Sequence, residues 1–319
     1  MNFRLVFLNC YNLLPWELPS TRLGAPRNQT ETDDKVQSLG RTIRSVFAGE
    51  VPEIIALSEI GAEPLGRQLV RALNVQGYQI VWSGIPPAAR SQIGLMVLYN
   101  PDVFGLMANS PRTGPSSLTE RRQWLAAQFR LQREPTVDFW LVVNHWKSNM
   151  GKPPLVEARQ VETSQEIGGF YLNEEHQAAK RMILIGDFNC EPGDKAWKGQ
   201  APNSLVGARE RAVVTRGGRG SGRRGNSKAY FYNPMWRRMG EPADHETTQL
   251  AGYQPAFMMG TFVGMRNQAI DLRLWDQLLV SKGLLTGRGH LRFVESSVSI
   301  VRPETGFTDH CAIGARFEY

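Results

Sequence analysis

The sequence predicts a layered α+β domain, with sheets packed face to face and helices outside. Two observations predict it. Strand-length runs rich in Val, Ile, Leu and Phe alternate with segments of helical period. Several neighbouring runs are joined by short polar links that suit hairpins, so the sheets are expected to be mostly antiparallel. A chain of 319 residues, 41% hydrophobic, is long and apolar enough to bury such a core, which excludes overall disorder.

Strands are expected at Phe3–Leu8, Ile54–Ser58, Gln79–Ser83, Ile93–Tyr99, Trp124–Leu131, Phe139–Asn144, Met182–Ile185, Gln277–Ser281 and Cys311–Phe317. Helical spacing appears in Val36, Leu39, Ile43, Val46 and Phe47, in Leu65, Leu69, Ala72 and Leu73, and from Leu155 to about Ala179. No apolar stretch approaches the roughly 18 residues that span a bilayer, so no stable membrane association is expected. The apolar start, Phe3 to Leu8, is too short for a secretory core and no small-residue cleavage site follows it. Cys10, Cys190 and Cys311 lie far apart without a Cys-x-x-Cys, which speaks against a disulfide framework or zinc knuckle and for a reducing, cytoplasmic compartment. Strand alternation turns these cysteines toward the layer interior.

The net charge of +7 has one source. Between Arg209 and Arg238 nine Lys and Arg stand against one acid, Glu210, which leaves 28 of the 37 basic residues against 29 of the 30 acidic ones elsewhere. The Gly-rich text from Arg216 to Gly225 cannot bury a face and reads as a basic insert, around 209–238, in a single domain spanning 1–319. Such a patch suits a polyanion, nucleic acid before a membrane surface; a solvated loop with no partner is the plain alternative. The aromatic run Tyr230 to Trp236 suits core packing first and base stacking second.

Chemistry-bearing residues gather at strand ends. Asn9 ends the first strand, Glu59 follows the second, His145 follows Phe139–Asn144, and Asp187 and Asn189 follow Met182–Ile185. Asp276 precedes Gln277–Ser281, and Asp309 and His310 precede the last strand. One polar residue where a strand meets solvent needs no explanation, but six strands with the same habit do. Hydrolysis of a phosphodiester needs a divalent cation to offset charge on the phosphoryl oxygens, a group to orient water and a donor for the leaving oxygen. Glu59 suits the metal-binding carboxylate, Asn9 a neutral oxygen donor beside it, and Mg²⁺ or Mn²⁺ the ion. Zinc suits the chain less, because its five histidines show no ligand spacing.

The motifs Leu8-Asn9-Cys10-Tyr11-Asn12-Leu13, Ala56-Leu57-Ser58-Glu59-Ile60, Val143-Asn144-His145-Trp146-Lys147-Ser148, Ile185-Gly186-Asp187-Phe188-Asn189, Trp275-Asp276-Gln277-Leu278-Leu279-Val280-Ser281 and Thr308-Asp309-His310 span nearly the whole chain. In that order they resemble the endonuclease/exonuclease/phosphatase superfamily, which includes pancreatic-type deoxyribonucleases, apurinic-site endonucleases, sphingomyelinases and inositol-polyphosphate phosphatases. The resemblance implies a four-layered α/β sandwich, two packed mixed β-sheets flanked by helices, with the site at one rim. It implies that Asp187 orients water, that Asn189 donates to a phosphoryl oxygen, and that His310, held by Asp276, sits against the phosphate. Asp309 then completes the metal side, and His145 assists the leaving group. Arg122 matches a substrate-binding arginine of many relatives, with Arg121 as the alternative register. The sequence departs from deoxyribonuclease-like members in one respect. They hold the first histidine with an acid from the preceding strand region, and 84–100 contains none, which makes His145 a neutral phosphate-binding donor.

The expected activity is that of a Mg²⁺-dependent nuclease acting on DNA, with Arg216, Arg219, Arg223, Arg224 and Lys228 meeting backbone phosphates. DNA stands above RNA on the resemblance alone. A phosphatase or lipid phosphodiesterase of the same superfamily is the first alternative, and an inactive nucleic-acid-binding protein the second.

Overall fold

Period-two alternation along β1 (Asn2–Leu13) sends Phe3, Leu5 and Phe7 to one side and Val6, Leu8 and Cys10 to the other, and all six are buried. A strand buried on both faces belongs in the middle of a layered fold. In the computed structural model the following elements are described after it: α1 (Gln29–Ser45), β2 (Ile54–Ile60), α2 (Glu63–Ala72), β3 (Gln79–Trp82), β4 (Gly94–Tyr99), β5 (Phe104–Leu106), β6 (Arg112–Gly114), β7 (Trp124–Leu131), β8 (Asp138–His145), α3 (Pro153–Glu174), β9 (Met182–Asp187), α4 (Lys195–Lys198), β10 (Val206–Gly207), β11 (Phe231–Tyr232), β12 (Phe262–Arg266), β13 (Ala269–Arg273), β14 (Asp276–Ser281), α5 (Lys282–Thr286), β15 (Arg292–Val301) and β16 (Ala312–Glu318). The structure describes the chain apart from residues 19, 86–91, 109, 115–123, 150–151, 175–180, 199–205, 208–230, 236–261, 267–268, 288–289 and 304–306.

Two sheets carry the fold. One runs β15-β16-β1-β2-β4-β3, the other β10-β11-β14-β9-β8-β7-β5, and both are mixed, with antiparallel pairs in the majority. The central parallel pairs are β1/β2 and β8/β9. Their connections contain α1 and α3, the long crossovers that parallel strands require. The inner faces share one apolar core, in which Phe3, Phe7, Ile54 and Val97 meet Phe129, Leu141, Ile183 and Leu278. Helices α1 and α2 bury Val36, Leu39, Ile43, Leu65 and Leu69 on the outside of the first sheet. Helix α3 lays Ile167 and Tyr171 on the outside of the second, against a cluster that includes Trp140 and Trp146. The result is helix on sheet on sheet on helix, the four-layered sandwich expected.

The expected strands are all present, β7 with the ends expected and the others with at least one end shifted. β1 runs on past Asn9 to Leu13 through an irregularity, and Asp276 is the first residue of β14. The ten-residue β15 is not among the strands expected, because Glu295, Ser296, Ser297 and Ser299 break its apolar run. It is an edge strand with a register shift against β16 between Val294 and Ser299, so no second sheet neighbour demands alternation of it. In the aromatic run Tyr230 to Trp236, Phe231, Tyr232 and Met235 are buried in the core, which answers the stacking alternative for those residues. All three cysteines are buried and free. Arg122, Arg216, Arg219, Arg223, Arg224, Lys228 and most of the 209–238 segment lie outside the described residues.

Candidate active site

The two central parallel strand pairs point the same ends at one rim, and the register of the second sheet builds the first row of the site. His145, the last residue of β8, pairs with Asp187, the last of β9, and Asp187 pairs with Asp276, the first of β14. Residues opposite one another on neighbouring strands share a face, so three ionisable side chains stand side by side. Asn9 and Glu59 come to the same rim from the other sheet, Glu59 at an irregularity between Ser58 and Ile60 where β2 leaves its register with β4. His310 and Asp309 arrive from the segment before β16.

Asn9 is the junction of this cluster. Its Nδ2 donates to Asp187 Oδ2 at 3.1 Å and to Glu59 Oε1 at 3.4 Å, and lies 3.3 Å from His310 Nε2. Its Oδ1 accepts the Tyr11 backbone N–H at 3.0 Å. A buried N–H must find an acceptor, so that bond fixes the orientation of the amide. Asn9 therefore presents its nitrogen to the carboxylates. Across from it, His145 Nε2 lies 3.3 Å from Glu59 Oε1 and 3.7 Å from Asp187 Oδ2. The carboxylates beside this histidine thus come from β2 and β9, not from 84–100, where the sequence showed none. His310 Nδ1 is 2.7 Å from Asp276 Oδ2, while its Nε2 faces Asp187 at 3.9 Å and Asp309 at 3.6 Å. Asn189 closes the loop after β9, its N–H donating to Asp187 Oδ1 at 2.9 Å and its Nδ2 to the Trp146 carbonyl at 3.2 Å.

Backbone strain collects around these groups. Glu59, Asn189, Tyr11 and Asn12 are non-glycine residues with φ of 58°, 51°, 46° and 59°. Such conformations cost about 1–3 kcal/mol each and persist only where their surroundings hold them. At Tyr11 the holder is Lys35 from α1, whose buried ammonium donates to the Tyr11 and Gly24 carbonyls at 2.5 and 2.6 Å. Asn12 in turn donates its N–H to Glu59 Oε2 at 2.9 Å. Burial pulls the Lys35 ammonium down from 10.5 to about 8, against the nearby Cys10, Glu59 and Asp309. Its folded value thus lies below its unfolded one, so this group contributes a rise in stability as pH climbs from about 8 toward 10.5. Denaturant unfolding of the wild type and of Lys35→Met across that range should show this rise in the wild type only; parallel pH curves would contradict the burial effect.

A model of the Endonuclease/Exonuclease/phosphatase family matches residues 23–204, more than half of the chain. The chain belongs to the endonuclease/exonuclease/phosphatase family. No curated protein matches its sequence. Among solved structures similar to this family member are a truncated Caenorhabditis elegans TDP2 (13% identity, TM-score 0.57, 100% of this chain and 98% of that one) and the Bacteroides thetaiotaomicron mannosyl-6-phosphatase Bt3783 (11% identity, TM-score 0.59, 99% and 100%). The human Nocturnin catalytic domain with bound sulfate is another (16% identity, TM-score 0.55, 99% and 94%). At such identities the likeness carries the fold.

The family member's site is crowded with buried negative charge. Asp187 is pushed up to about 7, by burial above all and by Asp276 and Glu59, with His310 and the Asn189 N–H opposing. Burial works against the charged form of His310, but the adjacent Asp276 outweighs it, with Asp187 and Asp309 adding to the effect, and holds the imidazole at about 10. The Asp309 carboxyl is raised mainly by its burial, and its buried Oδ1 has no hydrogen-bond partner among the described residues. Glu59, His145 and Asp187 offer atoms within 4.8 Å of one another, as do Asp187, Asp276 and His310. A hard divalent cation fits this donor set, since carboxylate oxygens are its preferred ligands and neutralise their mutual repulsion by holding it.

Sequence reasoning missed the supports behind these groups. Gln277 sits buried in β14 next to Asp276, donating to the Cys190 and Leu274 carbonyls at 2.5 and 2.8 Å and accepting from Asn233 Nδ2 at 2.6 Å. Gln160 on α3 donates to the Lys147 and Asn189 carbonyls at 3.0 and 2.9 Å, tying both site loops to one helix. For Gln277 the available signal was a polar residue inside an apolar strand run. Gln160, on a mostly polar helix, carried none.

Proposed function

We propose that this family member hydrolyses phosphodiester bonds with the help of Mg²⁺ or Mn²⁺, and that its substrate is nucleic acid, DNA before RNA. The observation that carries the reading is the convergence of Asn9, Glu59, His145, Asp187, Asp276 and His310 from five separate strands and one loop into a single cluster. Glu59 and Asp309 would hold the cation, which supplies Lewis-acid stabilisation of charge on the phosphoryl oxygens when bound. Asp187 accepts a proton from, or orients, the attacking water, with Asn9 and the Asn189 N–H fixing its two oxygens. His310, kept cationic by Asp276, faces the phosphate, Asn189 donates to a phosphoryl oxygen, and His145 donates toward the leaving oxygen.

The basic residues Arg216, Arg219, Arg223, Arg224 and Lys228 favour a polymer over a small ester. Changing the four arginines to Ala should raise KM for DNA and flatten its salt dependence, by about 0.9 in the log–log slope for each phosphate that the variant no longer neutralises. An unchanged slope removes the segment from the interface. Among the described residues no helix is long and apolar enough to cross a membrane. The three free cysteines favour a reducing compartment, and we place the protein in the cytoplasm.

The likeness of fold to a mannosyl-6-phosphatase supports a second reading, a small-phosphoester hydrolase. Incubation with supercoiled plasmid, single-stranded DNA, RNA, a chromogenic phosphodiester and sugar phosphates, each with Mg²⁺, Mn²⁺ or EDTA, separates the two. Cation-dependent cutting of DNA supports the first; release of phosphate from sugar phosphates with every polymer intact supports the second.

A further inference from the structure

A cavity of about 710 Å³ opens beside the metal side of the candidate site, between the loop that joins β1 to α1 and Phe307, two residues before Asp309. It is bound to the site by a short chain of contacts. Arg22 Nη1 donates to Asn12 Oδ1 at 3.1 Å, Asn12 Nδ2 donates to the Leu23 carbonyl at 3.0 Å, and the Asn12 N–H holds Glu59.

Three cations line the cavity. Arg27 is paired with Glu31 at 2.7 Å, and the buried Lys35 donates to two carbonyls. The half-buried Arg22 guanidinium meets one acceptor among the described residues, which leaves most of its five N–H groups open. Two apolar groups line the same cavity: Leu23, 79% exposed, and Phe307, half-buried. An open guanidinium next to an aromatic ring and an aliphatic side chain recognises an anion joined to a flat ring system. That is one unit of a nucleic-acid strand.

We propose that this cavity is a strand-binding subsite, in which Arg22 takes a phosphate neighbouring the scissile one while Phe307 and Leu23 pack against its base. The inference rests on the nucleic-acid reading above and assigns the direction in which the strand leaves the site, across the β1–α1 loop. Asp34 lines the same cavity and opposes an anion there.

The test compares kcat/KM on a single-stranded oligodeoxynucleotide with kcat/KM on bis-p-nitrophenyl phosphate, which has one phosphate and cannot reach the subsite. For Arg22→Ala and Phe307→Ala the ratio of the two should fall about tenfold each, and for Asp34→Asn it should rise. Ratios equal to wild type in both alanine variants overturn the subsite while leaving the nuclease reading intact. An equal fall on both substrates in Arg22→Ala also overturns it, since Arg22 then serves only to support Asn12 and Glu59. A wild-type chain that leaves the oligonucleotide uncut overturns the nuclease reading and this inference together.

Discussion

Asp187→Asn lowers turnover of a phosphodiester about a thousandfold or more and leaves the protein close to the wild type in stability. The first part follows from the position of the carboxylate. Asp187 lies within 3.9 Å of Asn9, His145 and His310, and asparagine keeps its size and its bond to the Asn189 N–H while removing the negative charge. The second part follows from burial. Only 2% of Asp187 is exposed, and Asp276 and Glu59 stand nearby, so its charge is held at a cost that folding does not recover. A neutral amide there relieves that cost, which offsets the hydrogen bond from Asn9 that is lost when the new amide nitrogen faces the Asn9 Nδ2. Steady-state rates on a chromogenic diester and thermal unfolding of the same preparation check both halves. Near-wild-type rates would remove Asp187 from the chemistry, and a large loss of stability would mean that its charge serves the fold.

Gly186→Ala is the largest effect expected on folding itself. Gly186 has φ of 154°, a conformation closed to residues with a β-carbon, and one added there would stand 2.7 Å from the backbone N and C of Asn144 on β8. The obstacle is main chain, which cannot turn aside as a flexible side chain can. β8 and β9 pair at this point, Asn144 with Gly186, so relief requires parting the two central strands that present His145 and Asp187. Backbone strain and overpacking together predict a loss of about 3 kcal/mol or more. Urea unfolding measures it; a loss within about 0.5 kcal/mol, the range of an ordinary surface change, would show that β8 and β9 separate here without difficulty.

The fold is legible in the sequence because period-two alternation and helical spacing are both strong. β7 has the ends that the sequence predicts, and the faces of α1 and α2 bury the apolar residues that their spacing singles out. The candidate site is legible at the level of residue type and strand end, since every one of Asn9, Glu59, His145, Asp187, Asn189, Asp276, Asp309 and His310 comes to the same rim. What alternation cannot convey is orientation. That Asn9 turns its nitrogen inward depends on the Tyr11 N–H, whose direction is set by two consecutive left-handed residues and a lysine on α1. The partners of His145 depend on where β2 breaks register at Glu59, a bend that no residue of β2 announces. Edge strands are the least legible part of the fold. β15 carries serines on a border where one neighbour suffices, so the sequence is under little pressure to alternate there.

The central claim is that Glu59 and Asp309 hold one hard cation beside Asp187, against the phosphate. Anomalous diffraction from crystals soaked in Mn²⁺ tests it most directly. The account predicts a peak in contact with the Glu59 carboxylate, within reach of Asp309 and beside Asp187, and its disappearance in Glu59→Ala. Manganese bound only elsewhere, or a peak at the cluster that survives Glu59→Ala undiminished, would contradict it.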